Sequence, residues 1–399
     1  MVWEMEMLKR AVAIPSVSAK NRGIKEMAEF TRNLLELIGM KVFLYHPENA
    51  HPFLLGILEG TGKGRLLIYN HYDVQPEEPL ELWESPPYEL TEREGKWFGR
   101  GVADNKGNIV ARWEAIKQAK AEGLPLPTIV WLIEGEEEIG SPHIEEALHH
   151  WKDLMKADGC LWESGGVNWK GQPVLTLGCK GILYLQLACK NLSRDVHSSM
   201  SAILPSAVWR LIWALKDLKN EREEIQLPGF YDDVQPPTEE DLRLLSEFPL
   251  EEEELKKIFG ISEFLSGLTG IELKKRLFFS PSLNICGIWG GYTGEGGKTV
   301  LPAEARCKID FRLVPNQNPA KVRKALRDFL DARGFSDVIL EEYEQGEKPA
   351  RTSVSEPFVQ FFRQCVEEAY EKKPVIEPLM AGTGPMAPFR EILHVPIVG

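Results

Sequence analysis

The sequence predicts an α/β protein in which a domain built on a mostly parallel sheet carries an inserted, ferredoxin-like α+β domain. Three observations support this fold class: helical and strand patterns alternate in the first part of the chain, the pattern changes near Gly178, and a helical pattern returns near the end. The chain has 399 residues, of which 43% are hydrophobic and 27% charged. This composition excludes a collagen-like, coiled-coil or wholly disordered protein, and the length suggests more than one domain.

The first part of the chain combines apolar residues at helical spacing with short, uninterrupted apolar runs. The helical spacing predicts helices over 26–38, 108–121 and 145–155. The uninterrupted runs are typical of strands covered on both faces, and they predict strands at 65–70, 128–133 and 159–162. Residues 41–45 predict a further strand. Strands that alternate with helices in this way indicate a mostly parallel sheet.

Beyond Gly178 the order becomes strand, helix, strand, strand, helix, strand, which is the ferredoxin-like order. The elements that predict it cover 181–190, 204–218, 282–289, 305–314, 319–333 and 337–342. Residues 238–275, with four glutamates at 251–254, predict a helical elaboration of this domain. We therefore expect an inserted domain at 179–346. The other domain combines 1–178 with 347–399, where 358–370 predict a helix.

Charge, apolar run length and cysteine content bear on binding to nucleic acid, on membrane insertion and on the cellular compartment of the protein. Lys and Arg number 47 and Asp and Glu number 60, which gives a net charge of −13. With no basic stripe and no recognisable nucleic-acid module, we expect no nucleic-acid partner. No apolar run approaches the roughly 20 residues of a membrane helix, and no secretory signal is visible. None of the 6 cysteines forms a C-x-x-C pair, so we expect reduced thiols and a cytoplasmic protein.

Acidic and imidazole side chains follow the predicted strands of the first domain. Each piece alone, such as one H-x-D or three consecutive glutamates, is more often structural, but several lie where ligands bind, beyond the carboxyl ends of parallel strands. Carboxylates gathered at one edge repel one another unless cations neutralise them, and carboxylate with imidazole suits zinc or manganese. The candidate residues at the strand ends are His71, Asp73, Asp104, Glu134, Glu136, Glu137, Glu138 and Glu163.

Three segments resemble the signatures of the di-metal aminopeptidase–carboxypeptidase superfamily: 71–76 (HYDVQP), 100–107 (RGVADNKG) and 137–141 (EEIGS). That group includes carnosinase-like dipeptidases, glutamate carboxypeptidase, acetylornithine deacetylase and succinyl-diaminopimelate desuccinylase. Residues 298–302 (KTVLP) and 310–315 (DFRLVP) resemble the carnosinase-like, nonspecific dipeptidase branch most. The resemblance implies that 1–178 and 347–399 form a catalytic domain and that 179–346 form a lid and dimerisation domain.

The resemblance also implies two divalent metal ions per subunit, Zn²⁺ or Mn²⁺. Asp104 resembles the carboxylate that bridges the two ions. His71 and Glu163 would complete the site of one ion, and Glu138 would hold the other. In such paired sites the ions lie roughly 3.5–4 Å apart.

Two further carboxylates have implied roles around the ions. Asp73 resembles the group that orients the ligand imidazole and raises its basicity. Glu137 resembles the general base, which takes a proton from the attacking water and passes it to the leaving amine. The resemblance also implies a cis peptide bond between Asp104 and Asn105.

The inserted domain is implied to supply substrate contacts. Arg312 resembles the guanidinium that binds the free carboxylate of the substrate, a task that suits a bidentate fork. His197 resembles a histidine that reaches the active site of a neighbouring subunit, so a homodimer is implied. Thr299 resembles a further contact from the partner, and Thr383 the contact residue of a glycine-rich loop.

One feature departs from the family pattern. The second ion there also takes a histidine near the C-terminus, and this sequence ends at Gly399, before that place; His394 precedes it and is not assigned as a ligand. Either the chain continues past Gly399, or Asp104 and Glu138 alone hold the second ion weakly. We expect the chain to continue, because the sequence ends within a strand pattern.

The function expected from these features is metal-dependent hydrolysis of the amide bond of dipeptides, or of short peptides with a free C-terminal carboxylate. Deacylation of N-acyl amino acids remains open, because both substrate classes carry an amide and a carboxylate. A binding or scaffold protein that uses the fold without catalysis is a third alternative.

Overall fold

The computed structural model describes residues 5–342 and 346–399, which form two compact units, each with its own hydrophobic core. The first unit comprises the described part of Met1–Gly178, together with Arg351–Glu377 and Pro385–Gly399. The second comprises the described part of Cys179–Ala350, together with Pro378–Gly384.

The helices of the described residues match most of the predicted positions to within a few residues. Helix α1 was not predicted, and its inward face consists of Leu8, Ala11 and Val12. The helices are α1 Met5–Ala13, α2 Ile24–Leu37, α3 Lys106–Ala121, α4 Ile144–Trp151, α5 Ala207–Leu218, α6 Glu239–Glu247, α7 Glu252–Phe259, α8 Gly270–Phe279, α9 Pro319–Ala332, α10 Pro357–Tyr370 and α11 Met386–Pro388.

The strands include several short pairs that the sequence did not indicate. In chain order they are β1 Lys41–Tyr45, β2 Phe53–Leu58, β3 Arg65–His71, β4 Thr91–Arg93, β5 Lys96–Phe98, β6 Thr128–Glu134, β7 Gly159–Leu161, β8 Gly166–Val167, β9 Pro173–Thr176, β10 Gly178–Cys179, β11 Gly181–Lys190, β12 Val196–His197, β13 Ser282–Gly290, β14 Val300–Leu301, β15 Glu304–Leu313, β16 Val338–Glu342, β17 Ala350–Arg351, β18 Val375–Glu377 and β19 Ile397–Val398.

The main sheet of the first unit has the strand order β1-β2-β6-β3-β7-β19. Strands β6, β3, β7 and β19 run parallel to one another, whereas β1–β2 and β2–β6 are antiparallel pairs. The predicted, mostly parallel α/β sheet is therefore confirmed. Because β3, β6 and β7 run in the same direction, their carboxyl ends lie at one edge of the sheet.

Large apolar side chains fill the core of this unit. Trp131 of β6 is fully buried, and Leu34 of α2 and Trp113 of α3 belong to the same cluster. Each buried side chain of this size stabilises the fold by roughly 1.5–3 kcal/mol relative to exposure. The packed core therefore holds the strands in place, and with them the polar residues at the strand ends.

The second unit contains a four-stranded antiparallel sheet with the order β13-β15-β11-β16. Helices α5 and α9 contribute Leu211 and Leu326 to its core. The predicted ferredoxin-like arrangement is confirmed, with α6, α7 and α8 inserted between α5 and β13 as the expected helical elaboration. This elaboration has a small core of its own, formed by Leu245, Phe278 and Phe279.

Segment 378–384 lies in the second unit, although the sequence analysis grouped it with the first. The backbone N–H of Lys180 donates hydrogen bonds to the carbonyl oxygens of Met380 (3.1 Å) and Gly382 (3.0 Å). These bonds join positions about 200 residues apart, so no local pattern in the sequence could indicate them. Within the ranges that the structure describes, no helix is both long and apolar enough to cross a membrane.

Candidate metal centre

The strand ends of the first unit bring the predicted metal-site residues together. His71 is the last residue of β3, and Glu163 follows the end of β7 by two residues. Glu137 and Glu138 begin a 3-10 turn, Glu137–Ile139, shortly after β6. Asp104 lies just before α3, which begins at the same edge of the sheet. The parallel direction of the strands thus places residues from four distant segments side by side.

The imidazole of His71 lies at the centre of this group. Its Nε2 atom is 2.8 Å from Asp104 Oδ1, 3.5 Å from Glu163 Oε2 and 3.9 Å from Glu137 Oε2. Ligand atoms of His71, Asp104 and Glu138 all lie within 4.8 Å of one another. The His71 ring is fully buried, whereas the Asp104 carboxylate is exposed. One divalent ion could therefore reach a nitrogen and several oxygens at once.

Asp73 holds both the imidazole and the turn that carries the two glutamates. His71 Nδ1 lies 3.2 Å from the backbone oxygen of Asp73 and 3.3 Å from its Oδ1. The same carboxylate accepts hydrogen bonds from the backbone N–H groups of Glu137 (3.3 Å) and Glu138 (3.1 Å). Asp73 therefore fixes the ring orientation and also the position of the turn.

Burial and mutual repulsion disfavour the ionised form of the three glutamates of the site. Burial, followed by the charge of Glu163, raises the pKa of Glu137, and burial likewise raises the pKa values of Glu163 and Glu138. Burial opposes a charge on His71, but Glu163 and the hydrogen bond to Asp104 outweigh it and raise the pKa of the imidazole well above its usual value. The hydrogen bond from His71 lowers the pKa of Asp104.

The residues present fit a bound divalent metal ion. Glu163 Oε2 is buried and has no hydrogen-bond partner among the described residues, a costly state for a carboxylate oxygen unless a cation faces it. An imidazole nitrogen together with carboxylate oxygens is a donor set suited to zinc or manganese.

Three polar residues around the site were not identified from the sequence. Gln75 Nε2 donates to Glu138 Oε2 (2.8 Å), and the backbone N–H of Gln75 donates to Glu138 Oε1 (3.2 Å). Buried Asn70 donates a hydrogen bond to Asn105 Oδ1. Asn70 interrupts an otherwise apolar strand, and that is the signal that could have identified it. The peptide bond between Asp104 and Asn105 is cis, as the resemblance implied.

The predicted substrate residues lie in the second unit and form two pairs there. Arg312 Nη1 donates to Thr383 Oγ1 (2.8 Å), and Arg312 Nε lies 3.3 Å from Asp310 Oδ2. His197 Nε2 lies 2.9 Å from Thr299 Oγ1. Thr299 was expected to act from a partner subunit, and here it contacts a histidine of its own chain. Strand pairing of β12 with β14 brings this second pair together.

Comparison with known proteins identifies close relatives. The model of peptidase family M20/M25/M40 matches residues 67–398. The β-Ala-His dipeptidase of Homo sapiens is 32% identical over 354 residues, which cover 84% of this chain and 68% of that protein. The Cys-Gly metallodipeptidase dug1 of Schizosaccharomyces pombe is 32% identical over 345 residues, which cover 81% of this chain and 71% of that protein.

A comparison with solved structures also finds a peptidase of the M20 family. An M20 family metallo-carboxypeptidase, Sso-CP2 from Sulfolobus solfataricus, superposes with a TM-score of 0.95 at 35% sequence identity, covering 100% of this chain and 91% of that chain. Across the curated dipeptidases of human, rat, mouse and fission yeast, the chain spans between 56% and 71% of the relative's length.

Proposed function

The chain belongs to peptidase family M20/M25/M40, and we propose from this membership and the site geometry that it is a metal-dependent dipeptidase. The resemblance to a family of di-metal peptidases is thereby confirmed. The observation that carries the proposal is the cluster of one imidazole and four carboxylates at the strand ends, in which a Glu163 oxygen is buried without a hydrogen-bond partner among the described residues. Relatives named as dipeptidases support the substrate class.

Two divalent ions, zinc or manganese, are proposed to bind between these side chains. His71 and Glu163 would hold one ion, Glu138 the other, and Asp104 would contact both. Such ions supply Lewis-acid activation of water and of the scissile carbonyl. Asp73 and Gln75 keep the ligand side chains of His71 and Glu138 in place through the hydrogen bonds described above.

Glu137 is proposed to move the protons of the reaction. Its Oε2 atom lies 3.9 Å from His71 Nε2, next to the ligand cluster. Burial and the neighbouring charge of Glu163 raise its pKa, which suits a group that accepts a proton from water and returns it to the leaving amine. No other carboxylate of the cluster is assigned this task, because each is needed as a ligand or as a support.

Arg312 is proposed to bind the C-terminal carboxylate of the substrate. Its guanidinium donates to Thr383 Oγ1, and Asp310 lies beside its Nε atom. These contacts hold the planar fork in one orientation, which suits bidentate binding of a carboxylate.

A homodimer is also proposed, with His197 serving the active site of the partner. Exposed apolar side chains in the second unit support an interface there. On α5 they include Trp209 (57% exposed) and Trp213 (51%), and on the edge strand β13 they include Ile288 (51%). Exposed apolar surface and an open strand edge are typical of association sites.

A cytoplasmic location is proposed on the basis of the cysteines. The described residues contain no disulfide, and four of the cysteines, Cys160, Cys179, Cys189 and Cys307, are buried. This use of cysteine is typical of a reducing compartment.

The substrate class is tested by a panel of dipeptides and of N-acetyl and N-succinyl amino acids. We expect hydrolysis of dipeptides, complete loss of turnover after chelation, and recovery when zinc or manganese is restored. Deacylation, which the sequence left open, is not favoured by the names of the relatives. Faster turnover of the N-acyl amino acids would reverse that order, and turnover that survives chelation would refute the metal-dependent mechanism.

A further inference from the structure

A polar network behind the candidate metal centre converges on Arg112, a partly buried residue in the second turn of α3. Arg112 Nη1 donates to the backbone oxygen of Tyr69 (3.0 Å) and to Asn70 Oδ1 (2.7 Å). Its Nη2 donates to the backbone oxygen of Trp162. One guanidinium thus joins the end of β3 to the residue that follows β7.

These acceptors lie next to two of the proposed metal ligands. Asn70 directly precedes His71, and Trp162 directly precedes Glu163. The bond to the Trp162 oxygen fixes the peptide unit that precedes Glu163 and so helps to set the direction of that side chain. On β3, the bonds to the Tyr69 oxygen and to the Asn70 side chain hold the strand within two residues of His71. The guanidinium is rigid and planar, and a single side chain can therefore set the spacing between two strands.

The network continues from Asn70 to Asn105, which directly follows the proposed ligand Asp104. Fully buried Asn70 also accepts a hydrogen bond from Trp131 Nε1 (3.0 Å) and donates one to Asn105. The side chains of Asn105 (3.1 Å) and Asn108 (2.6 Å) both donate to the backbone oxygen of Glu163. Apart from the bond to Tyr69, every link ends on a ligand's own backbone or on a residue adjacent to a ligand.

Even partial removal of a charged side chain from water costs free energy. Burial lowers the pKa of Arg112 to about 10, so the guanidinium stays charged at neutral pH. An apolar side chain would satisfy packing without the cost of removing a charge from water. The retained charge therefore indicates a task beyond packing.

We propose that Arg112 is a positioning residue for the metal centre, which holds the carboxyl ends of β3 and β7 at a fixed spacing so that His71 and Glu163 meet on the same ion. The inference rests on the proposed function. It also implies an asymmetry between the two ions: Glu138 follows β6 and is held by Gln75, so its ion depends less on Arg112.

The test is titration of the chelated full chain with Co²⁺, followed by its visible absorption spectrum. The variants are Arg112→Lys, which keeps the charge but carries its donors on a single nitrogen and lacks the planar fork that spans the two strands, and Arg112→Met. We expect one Co²⁺ to bind 10–100-fold more weakly, the range seen when groups that support metal ligands are removed, with an altered spectrum for that ion. Binding of the other ion should stay near wild type.

Arg65→Met is the matched control. Arg65 begins β3 at the opposite end of the sheet, and it also donates to two backbone oxygens, those of Lys156 (2.8 Å) and Leu154 (2.9 Å). Its loss should leave Co²⁺ affinity and spectrum unchanged, because no proposed ligand lies at that end.

Three results of these titrations would overturn the proposed role of Arg112. Wild-type affinity and spectrum in Arg112→Lys would overturn the inference alone, and this variant gives the answer if Arg112→Met fails to fold. An equal loss in Arg65→Met would also overturn it, since the effect would then be general destabilisation. If the wild-type chain binds no Co²⁺, the proposed function fails and this inference fails with it.

Discussion

Glu137 and Glu138 are neighbours in sequence, yet their surroundings suit them to different tasks. Two hydrogen bonds from Gln75 hold the Glu138 carboxylate, as expected for a ligand that must not move. Within 5–342 and 346–399, no side chain donates a comparable hydrogen bond to the Glu137 carboxylate, whose Oε2 lies 3.9 Å from His71 Nε2. A short 3-10 turn separates the directions of the two side chains, which is why adjacent residues can differ in role.

Substitution of Glu137 by glutamine tests this division of roles. Glutamine has the same shape but cannot accept the proton of the attacking water, so we expect turnover to fall about 10²–10⁴-fold while metal content stays at wild type. Metal analysis and steady-state kinetics measure the two effects separately. Glu138→Gln is the control and should lose metal as well as activity. An active Glu137→Gln enzyme would remove the general-base assignment.

Glu134 is a buried carboxyl that the proposed chemistry does not use. Its Oε1 accepts hydrogen bonds from Tyr69 (2.7 Å) and Ser141 (2.9 Å), and burial raises its pKa from 4.5 to about 8. The folded state therefore keeps a proton that the unfolded chain releases above pH 4.5. The free energy of unfolding should consequently decrease as pH rises from about 4.5 to 8.

Glu134→Gln should remove this contribution, because the amide does not titrate. We expect the stability of the wild type, relative to the variant, to decrease by roughly a few kcal/mol across that pH range. Urea unfolding of the chelated chains at several pH values measures the difference. Parallel pH profiles for the two chains would show that Glu134 does not titrate as described.

At the scale of single residues, the motif residues could be predicted from the sequence, but the residues that hold them in place by hydrogen bonds could not. His71, Asp104 and Glu137 stand in patterns whose residue types suit metal chemistry. Asn70 and Arg112 are common residue types in ordinary positions. Their importance arises from hydrogen bonds to strands far away in the sequence.

At the scale of elements, apolar patterning predicted most of the architecture and missed β2. Residues 53–58 are apolar, but Gly56 interrupts them, and glycine usually weakens a strand. The structure explains the glycine: a Cβ atom there would lie 2.9 Å from Met40 Sδ. The glycine is therefore required by close packing against Met40, and a hydrophobic pattern in the sequence cannot reveal such a contact. Helix α1 was missed because its short amphipathic pattern gains stability from tertiary contacts.

The inserted helices α6, α7 and α8 offer a stability prediction that is independent of catalysis. Leu245 of α6 is fully buried beside Phe278, whereas Leu242 of the same helix is 37% exposed. Leu245→Ala should lower the free energy of unfolding by about 2–5 kcal/mol.

Leu242→Ala is the matched control, and it should change stability by less than about 0.5 kcal/mol. Urea unfolding compares the two variants, and Co²⁺ titration should give wild-type affinity in both, because the metal centre lies in the first unit. A large effect of Leu242→Ala, or weaker Co²⁺ binding in either variant, would contradict this separation.

At the scale of the whole molecule, the sequence predicted two domains and the structure describes two compact units. The membership of 378–384 could not be predicted, since it depends on backbone hydrogen bonds of Lys180 rather than on any local pattern. The use of His197 by a partner subunit is likewise a property of an assembly, and it stays a prediction.

Mixing two inactive variants tests the proposed dimer. Chains with His197→Ala and chains with Glu137→Gln should each lack activity as pure dimers. In a mixed dimer, one site would combine an intact Glu137 with the intact His197 of the other chain. After exchange of subunits in an equal mixture, about half of the dimers are mixed, and each mixed dimer has one complete site. We therefore expect about a quarter of all sites to be active. No recovery on mixing, with subunit exchange verified by labelled chains, would show that His197 does not cross over.

The central claim is that His71, Asp104 and Glu163 surround a divalent ion at the carboxyl ends of the strands. Anomalous X-ray scattering from crystals of the chain loaded with Zn²⁺ or Mn²⁺ tests it most directly. We expect a peak about 2.0–2.2 Å from His71 Nε2 and from a carboxylate oxygen of Asp104. A map with no anomalous peak among these side chains, at saturating metal, would contradict the claim.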